Sequence, residues 1–318
     1  MKAAWMIGLL LLVQQVNAPG EAVIQHEGQR MATAVRNEYT LPGQSMVDGD
    51  RLGRLMDELD QKMYRAPENA RIGANGRIEK EQPGYRLNRT AFEERFYSYF
   101  YGTGPSVIDL PRTALYPKVD SELLANVRVK PIGHYVTYYN SNNKNRMHNI
   151  STAVKAINNH VLFPGELFSF NQVVGERTEK RGYLKAPVIV RGELAEGIGG
   201  GICQVSSTLF NAADRAGMHI VQRYSHSRNV PYVLPGRDAT VSWNGPDFTF
   251  MNKYNQPVLI RAFTGGGSLF VSLYSSDVIE YKPREVPSTA VRIPEEISIE
   301  TDADDPDGPL RARQEERE

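Results

Sequence analysis

The hydrophobic positions in the first half of the chain predict a small module of mixed helices and strands. Apolar residues recur at the spacing of one helical face over residues 51–59. An Asn-Gly pair at residues 75–76, between short apolar stretches, favours a tight β-hairpin. A second helix follows, with Asn88 or Thr90 as its N-cap. The stretch before the first helix shows no clear strand runs. We therefore predict a small α+β module over residues 21–130.

The second half of the chain has the alternation of β-strands with turns between them. Strands are predicted at residues 133–139, 187–190, 240–243, 248–250, 257–262 and 269–273. One helix is predicted over residues 148–157, capped by Asn149 or Ser151. Another begins at a Gly-Gly-Gly-Ile-Cys turn and ends before Gly217, a natural residue for the position after a helix. These patterns predict a mainly β domain over residues 131–275.

Both ends of the chain differ in composition from these two modules. Residues 1–20 combine Lys2, an apolar run and a small-residue cleavage site, which is the layout of a secretory signal. The apolar run, residues 3–13, rises only about 16 Å as a helix, too short for a ~30 Å hydrocarbon layer. A buried amino-terminal helix is the alternative. Residues 276–318 form a polar tail that we expect to be disordered from about residue 294.

Export and charge narrow the possible functions. We expect the protein to act outside the cytoplasm, in the cell wall or at the outer face of the membrane, to which an uncleaved signal would tether it. The 37 basic and 37 acidic residues balance, so the chain has no global electrostatic reason to bind nucleic acid. Its one cysteine cannot form an internal disulfide. In an oxidising compartment this residue is a buried hydrophobe, a partner for an intermolecular bridge, or a reactive thiol.

The surroundings of Cys203 favour a reactive thiol. Ordered glycines cost about 0.5–1 kcal/mol each relative to alanine, so Gly199, Gly200 and Gly201 suit a backbone that adopts positive φ or approaches a ligand closely. Cys203 then lies at or just before a helix amino terminus, where the macrodipole and N–H groups lower a thiol pKa from ~8.5 towards neutrality. The same N–H groups could hold an oxyanion. A small buried hydrophobe remains the alternative for Cys203.

A thiol nucleophile needs a base, and His226 is the preferred candidate. It lies in a polar loop between two ordered segments, where catalytic groups are often found. Asp238 could orient His226, and Arg237 could bind a substrate carboxylate through two parallel hydrogen bonds. The alternatives are a loop histidine without a special role and a salt bridge that only stabilises the turn. Cysteine, histidine and acidic residues show no metal-ligand spacing, and we predict no metal or cofactor.

Several motifs of the second half resemble the VanW family. They are residues 163–171 (Phe-Pro-Gly-Glu-Leu-Phe-Ser-Phe-Asn), 199–213 (Gly-Gly-Gly-Ile-Cys-Gln-Val-Ser-Ser-Thr-Leu-Phe-Asn-Ala-Ala), 226–227 (His-Ser) and 235–241 (Pro-Gly-Arg-Asp-Ala-Thr-Val). The likeness extends over about residues 131–275. The preceding module resembles, more loosely, the peptidoglycan-binding module that often precedes VanW domains in exported proteins of Gram-positive bacteria.

The resemblance implies a role in cell-wall maintenance and, as in some members of the family, L,D-transpeptidase chemistry. Cys203 would attack an L-centre to D-Ala bond of a peptidoglycan stem peptide and release D-Ala, and an amine of a neighbouring stem would resolve the thioester. The expected catalytic residues are therefore Cys203, His226 and Asp238. The residues expected to bind substrate are Gly199, Gly200, Gly201, Gln204 and Arg237. The Ser-His-Gly-Cys arrangement of the better-known L,D-transpeptidase fold is absent. The alternative function is a non-catalytic peptidoglycan-binding or scaffold protein.

Overall fold

A computed structural model of the chain describes residues 20–190 and 193–289. Residues 20–71 and 79–121 form one unit, and residues 72–78 and 122–289 form a second. The secretory signal, apart from its last residue, and the tail expected to be disordered from residue 294 lie outside the described residues. None of the helices in the described part of the chain is both long and apolar enough to cross a membrane.

The first unit combines two small sheets with two helices. Its elements are β1 (Glu21–His26), β2 (Gln29–Val35), a 3-10 helix (Arg36–Tyr39), α1 (Gly49–Met63), β5 (Gly84–Leu87), α2 (Arg89–Tyr101), β6 (Ser106–Asp109) and β7 (Arg112–Leu115). Strands β3 (Arg71–Ile72) and β4 (Ile78–Glu79) form a short two-stranded sheet. In the larger sheet, β1 pairs antiparallel with β2 and parallel with β6. In the smaller sheet, β5 pairs antiparallel with β7.

The helices of the first unit follow the local signals of the sequence. The Asp48 side chain accepts a hydrogen bond from the backbone N–H of Arg51 and so caps α1. Asn88 caps α2 in the same way, through the N–H of Ala91 at 3.1 Å, which confirms one of the two predicted caps. The apolar faces of both helices are buried in one core with residues of β1. The expectation that no strand precedes α1 is wrong.

The second unit is built around a four-stranded antiparallel sheet with the order β8-β16-β15-β9. Its elements are α3 (Ser121–Val127), β8 (Lys130–Tyr138), α4 (Lys144–Ile157), β9 (His160–Leu162), β10 (Leu167–Ser169), α5 (Phe170–Val174), a 3-10 helix (Glu179–Arg181), β11 (Lys185–Val190), β12 (Glu193–Ile198), α6 (Ile202–Arg215), β13 (His219–Gln222), β14 (Thr249–Met251), β15 (Val258–Gly265) and β16 (Ser268–Ser275). A smaller sheet has the order β10-β14-β13, and β11 with β12 forms a hairpin. The α+β class predicted from the sequence is confirmed.

Helix α6 lies against the large sheet, in contact with β8 and β16. Gly133 of β8 makes the close approach possible, because a Cβ at this position would lie 2.5 Å from the carbonyl oxygen of Ala212. Almost every residue of α6 is buried, including several that are polar. The helix is therefore an interior element, and its first turn lies at the edge of the core.

Two local predictions for the second unit are wrong. Helix α4 begins at Lys144, and its cap is Asn143, which accepts from the N–H of Arg146; Asn149 instead lies fully buried within the helix. Residues 240–243 do not form a strand. The preceding residue, Ala239, bonds to serine side chains of α6. Within the segment, the N–H groups of Thr240 and Ser242 donate to the carbonyls of Tyr224 and Pro246, which lie in loops and not in a neighbouring strand.

Candidate active site

The glycine turn before α6 has a conformation and a packing that side chains would prevent. Gly201 is the N-cap residue of α6, with φ of 104°, a left-handed conformation that favours glycine. Gly200 approaches the β11 backbone so closely that a Cβ would lie 2.5 Å from the carbonyl oxygen of Pro187. The Asn149 side chain donates to the Gly200 carbonyl at 3.0 Å. This turn places Cys203 at the second position of α6.

The structure brings Cys203, His226 and Asp238 together in a chain of contacts. The backbone N–H and the imidazole Nδ1 of His226 both donate to the same carboxylate oxygen of Asp238, each at 2.6 Å. A hydrogen bond links the imidazole to the thiol of Cys203 on its other side. The side chains of His226 and Asp238 are 7% and 8% exposed, so solvent screens their interaction little. This is the nucleophile–base–orienting-group arrangement of covalent catalysis.

The electrostatics of this triad favour an ion pair between thiolate and imidazolium. Burial raises the pKa of the Cys203 thiol, but the hydrogen bond and positive charge of His226 outweigh burial and bring that pKa below its usual value. Burial lowers the pKa of His226, but its bonds to Cys203 and Asp238 outweigh burial and raise it. Burial likewise raises the pKa of Asp238, and the two hydrogen bonds from His226 bring it below the ordinary range. Each of the three shifts favours the charged form of its group.

Polar side chains of α6 hold the loop that carries Asp238. The Ser207 hydroxyl accepts from the N–H of Ala239 at 2.9 Å, and Ser206 donates to the carbonyl of the same residue. Asn211 donates to the carbonyl of Arg237 at 2.7 Å. These bonds fix both residues that flank Asp238. The helix that carries the nucleophile therefore also positions the residue that orients its base.

Cys203 faces a cavity of about 610 Å³. Its walls are the glycine turn, the β11–β12 hairpin, and the loops that carry His226 and residues 240–244. The Cys203 Sγ lies 3.8 Å from the Thr240 hydroxyl. Tyr232 and Trp243 add aromatic surface, and Trp243 is 43% exposed. The cavity thus combines a thiol of lowered pKa with a surface that suits an extended, partly apolar ligand.

The residues predicted to bind substrate are distributed unevenly around this cavity. Gly199, Gly201 and Gln204 line it, whereas Gly200 does not. Gln204 is buried, and its side-chain amide forms hydrogen bonds with other residues of the protein. The structure does not bring Arg237 to the cavity. Its guanidinium bonds to Asn211 and Asp214, both at 2.8 Å, and lies 4.7 Å from the centre of the Phe210 ring. The geometry gives no support to a carboxylate-binding role for Arg237. Its ion pair is with Asp214 of α6, whereas Asp238, its neighbour in the turn, bonds to His226.

Two arginines that sequence reasoning missed line the cavity, Arg146 and Arg177. Arg146 belongs to the first turn of α4, which the sequence analysis placed outside that helix. Arg177 lies in an irregular segment after α5. No local sequence pattern identifies either arginine, because both are brought to the cavity by packing against a glycine turn that is distant in the sequence.

Among residues 20–190 and 193–289, no group of three or more His, Cys, Asp or Glu side chains could hold a metal ion.

Comparisons with known proteins give the following relatives. A family model described as VanW like protein matches residues 145–274, which include all three members of the triad. The uncharacterized protein YoaR of Bacillus subtilis is 57% identical over 295 residues, which cover 92% of this chain and 97% of that protein. The vancomycin B-type resistance protein VanW of Enterococcus faecalis is 31% identical over 114 residues, 34% of this chain and 42% of that protein. No solved structure is detectably similar to this chain.

Proposed function

Because this chain belongs to the VanW family, we propose that it is a cell-wall protein that transfers acyl groups of peptidoglycan stem peptides through Cys203. The single observation that carries the enzymatic part is the triad of Cys203, His226 and Asp238 at the wall of an accessible cavity. The cell-wall part is supported by the similarity to a vancomycin B-type resistance protein and by the secretory-signal pattern of residues 1–20.

The triad supplies what a thiol-dependent transfer requires. The Cys203 thiolate attacks the carbonyl carbon of the donor amide, forming a C–S bond and a tetrahedral oxyanion. The N–H groups of Ile202 and Gln204 already donate to the carbonyls of Gly199 and Gly201. The N–H of Cys203, between them in the first turn of α6, is the donor that we propose for that oxyanion. As the C–N bond breaks, the His226 imidazolium gives its proton to the leaving amine. A thioester and a neutral imidazole remain.

The second half of the reaction returns the enzyme to its starting state. The amine of an acceptor stem attacks the thioester carbonyl, and His226 takes up the proton that this amine loses. The C–S bond then breaks and the thiolate leaves, again paired with the imidazolium. The net reaction exchanges one amine for another on the same acyl group and needs neither an oxidant nor a nucleotide. Water in place of the acceptor would give hydrolysis.

The proposed substrates are stem peptides from which the terminal D-Ala is released, as the family resemblance implies. The purified full chain should be incubated with tetrapeptide-stem muropeptides and the products analysed by mass spectrometry. We expect cross-linked dimers together with an equal amount of free D-Ala. Cys203→Ala should give neither product while its melting temperature stays close to that of the parent, since the substitution removes only one sulfur atom from a partly exposed site.

The non-catalytic alternative gives a different result in the same experiment. If the parent protein and Cys203→Ala yield identical products, the transferase proposal fails. Binding of both proteins to intact peptidoglycan, with no product from either, would instead identify a binding or scaffold protein. His219→Ala is a suitable control, because His219 lies at the exposed start of β13 and does not line the cavity.

A further inference from the structure

The Cys203 cavity contains a second functional element, formed by two arginines. We propose that Arg146 and Arg177 form a carboxylate-binding subsite beside Cys203, and that this subsite holds the free terminal carboxylate of the residue released from the donor peptide. The identity of that carboxylate rests on the proposed function, whereas the affinity of the subsite for an anion does not.

The stems of both arginines pack against the glycine turn that precedes Cys203. A Cβ at Gly199 would lie 3.2 Å from the Cβ of Arg177, and one at Gly201 would lie 3.1 Å from the Cγ of Arg146. Cβ atoms at Gly199 and Gly201 would therefore lie unusually close to the arginine side chains. Larger residues at these two positions would displace the arginines from their places beside the turn. The turn therefore has a further role besides starting α6: it lets two cationic side chains approach the nucleophile.

Arg146 is held in place through the residue next to the nucleophile. Its Nη2 donates to the Gln204 side-chain oxygen at 2.9 Å. The Gln204 amide nitrogen in turn donates to the Thr137 hydroxyl at 3.1 Å and to the Tyr138 carbonyl at 2.9 Å. Because those bonds use the amide nitrogen of Gln204, its oxygen is directed to Arg146. Gln204 therefore acts as a positioning residue for the subsite.

Arg177 has hydrogen-bonding capacity to spare. Its Nη2 donates to the Asn171 side-chain oxygen at 2.7 Å, and its guanidinium lies 5.7 Å from the centre of the Phe170 ring. Its Nη1 is shielded from solvent and has no hydrogen-bond partner among the described residues. A buried donor without a partner costs free energy that an incoming acceptor would recover. A carboxylate fits best, because its two oxygens match the planar fork of a guanidinium.

The charges around Arg177 are of both signs, and the anionic groups already have hydrogen-bond partners of their own. Burial lowers the pKa of Arg177, and the nearby thiol of Cys203 in its anionic form has the opposite effect. Asp247, whose charge also reaches Arg177, already accepts hydrogen bonds from Ser169, Asn171 and Phe248. Glu176 lines the cavity as well, but it is exposed. Two arginines and one exposed carboxylate leave the cavity wall positively charged.

Alkylation of Cys203 by two reagents of similar size tests the subsite without any assay of transfer. Iodoacetate carries a carboxylate next to its reactive carbon, whereas iodoacetamide is neutral. The ratio of their rate constants cancels any change in the fraction of thiolate, since both react with the same thiolate. In the full chain we expect Arg177→Gln to lower this ratio roughly tenfold, the size expected from losing a hydrogen bond to a charged group. Arg146→Gln should lower it further when combined with Arg177→Gln.

The matched control is Lys253→Gln, which removes one positive charge from an exposed turn outside the cavity and should leave the ratio unchanged. A ratio that is the same in the parent protein and in both arginine variants would overturn the proposal. Arg177→Lys provides a second test should the glutamine variant fold poorly. It retains the charge without the planar fork, and an intermediate ratio is expected.

A measurement on the unaltered protein makes the test independent of every variant. N-acetyl-D-alanine, which has a free carboxylate, should slow the alkylation of Cys203 by iodoacetamide, whereas N-acetyl-D-alaninamide should not. Equal protection by both compounds, or by neither, would contradict the subsite. If the alkylation results hold but muropeptides are not cross-linked, the subsite stands and the proposed transfer falls. If cross-linking occurs without preference for iodoacetate, the transfer stands and the subsite falls.

Discussion

Helices α1 and α6 are similar in length but bury different kinds of residue. Helix α1 buries one apolar face and exposes most of the rest. Helix α6 is buried almost all round, and its interior residues include five that are polar, Gln204, Ser206, Ser207, Thr208 and Asn211. Each of the five has hydrogen-bond partners within the second unit. The first helix stabilises its unit by burying apolar surface, while the second also holds in place the loop that carries Asp238.

This difference shows that the buried polar side chains of α6 make its stability depend on the hydrogen bonds that neighbouring segments supply. A buried polar group without a partner costs about 1–3 kcal/mol, so α6 can tolerate its polar face only because the loop around Asp238 and the strand β8 supply acceptors and donors. That dependence couples the geometry of the site to the packing of the helix. Helix α1 has no such dependence, because its buried side chains need only apolar neighbours.

The comparison is tested most strongly by one substitution in each helix. Leu59→Ala removes a side chain of α1 that is fully buried, and we expect it to lower the free energy of unfolding by about 2–5 kcal/mol without changing the alkylation rate of Cys203. Asn211→Ala should cost about 1–3 kcal/mol, because it leaves the Arg237 carbonyl and Nε without their partner, and it should also slow alkylation. Calorimetry and iodoacetamide kinetics measure both effects.

The reverse pattern would contradict this comparison. If Leu59→Ala slows alkylation as much as Asn211→Ala does, the thiol responds to loss of stability in general. A milder substitution, Asn211→Ser, keeps a polar group at the position and should have an intermediate effect on both measurements.

The electrostatic state of the site is tested by His226→Ala. In the parent protein the pKa of Cys203 lies below the usual value for a thiol, so the alkylation rate should rise and level off at a lower pH than for an ordinary cysteine of pKa ~8.5. Without the imidazole only burial and weaker contacts remain, and the midpoint should move above that value. One unit of this shift lowers the neutral-pH rate about tenfold, or 1.4 kcal/mol.

The matched control for this experiment is His219→Ala, which removes an exposed histidine that does not line the cavity. Its pH profile should coincide with that of the parent protein. A coincident profile for His226→Ala as well would show that the imidazole does not control the thiol, and the triad would lose its electrostatic basis.

The smallest effect is expected at the surface of the first unit. Arg30 forms an ion pair with Glu21 at 3.2 Å, and its side chain is about half exposed. Arg30→Gln should change the free energy of unfolding by roughly 0.2–1 kcal/mol, and the difference should shrink in high salt because ions screen exposed charges. Melting curves at low and high salt measure it. A loss as large as that of Asn211→Ala would contradict the distinction between exposed and buried polar contacts.

Much of the fold could be predicted from the sequence where local signals act alone. The periodic apolar residues of α1, the cap of α2 and the glycines before α6 each correspond to an observed element. The strand β1 was missed because it is the middle strand of its sheet. Three consecutive residues from Ala22 are buried, so the polar–apolar alternation of a half-exposed strand is absent.

The candidate site could be predicted in part. The motifs of the sequence pointed to Cys203, His226 and Asp238, and the structure places these residues in contact. It selected Arg237 for a carboxylate, but the cavity contains Arg146 and Arg177 instead. The choice failed because the Arg237 side chain bonds to Asn211 and Asp214 of α6, whereas the adjacent Asp238 bonds to His226.

The sequence by itself determined that a helix begins after three glycines with a cysteine in its first turn, that the chain is α+β, and that it belongs to the VanW family. These properties depend on neighbouring residues or on motifs that can be compared directly. Only the tertiary structure decided that the His226 imidazole reaches the thiol of Cys203 and that two arginines line the same cavity as this thiol. It also decided that residues 240–243 form a loop and do not join a sheet. Those contacts join segments that are distant along the chain, and their distances are set by the packing of the core, which no local pattern records.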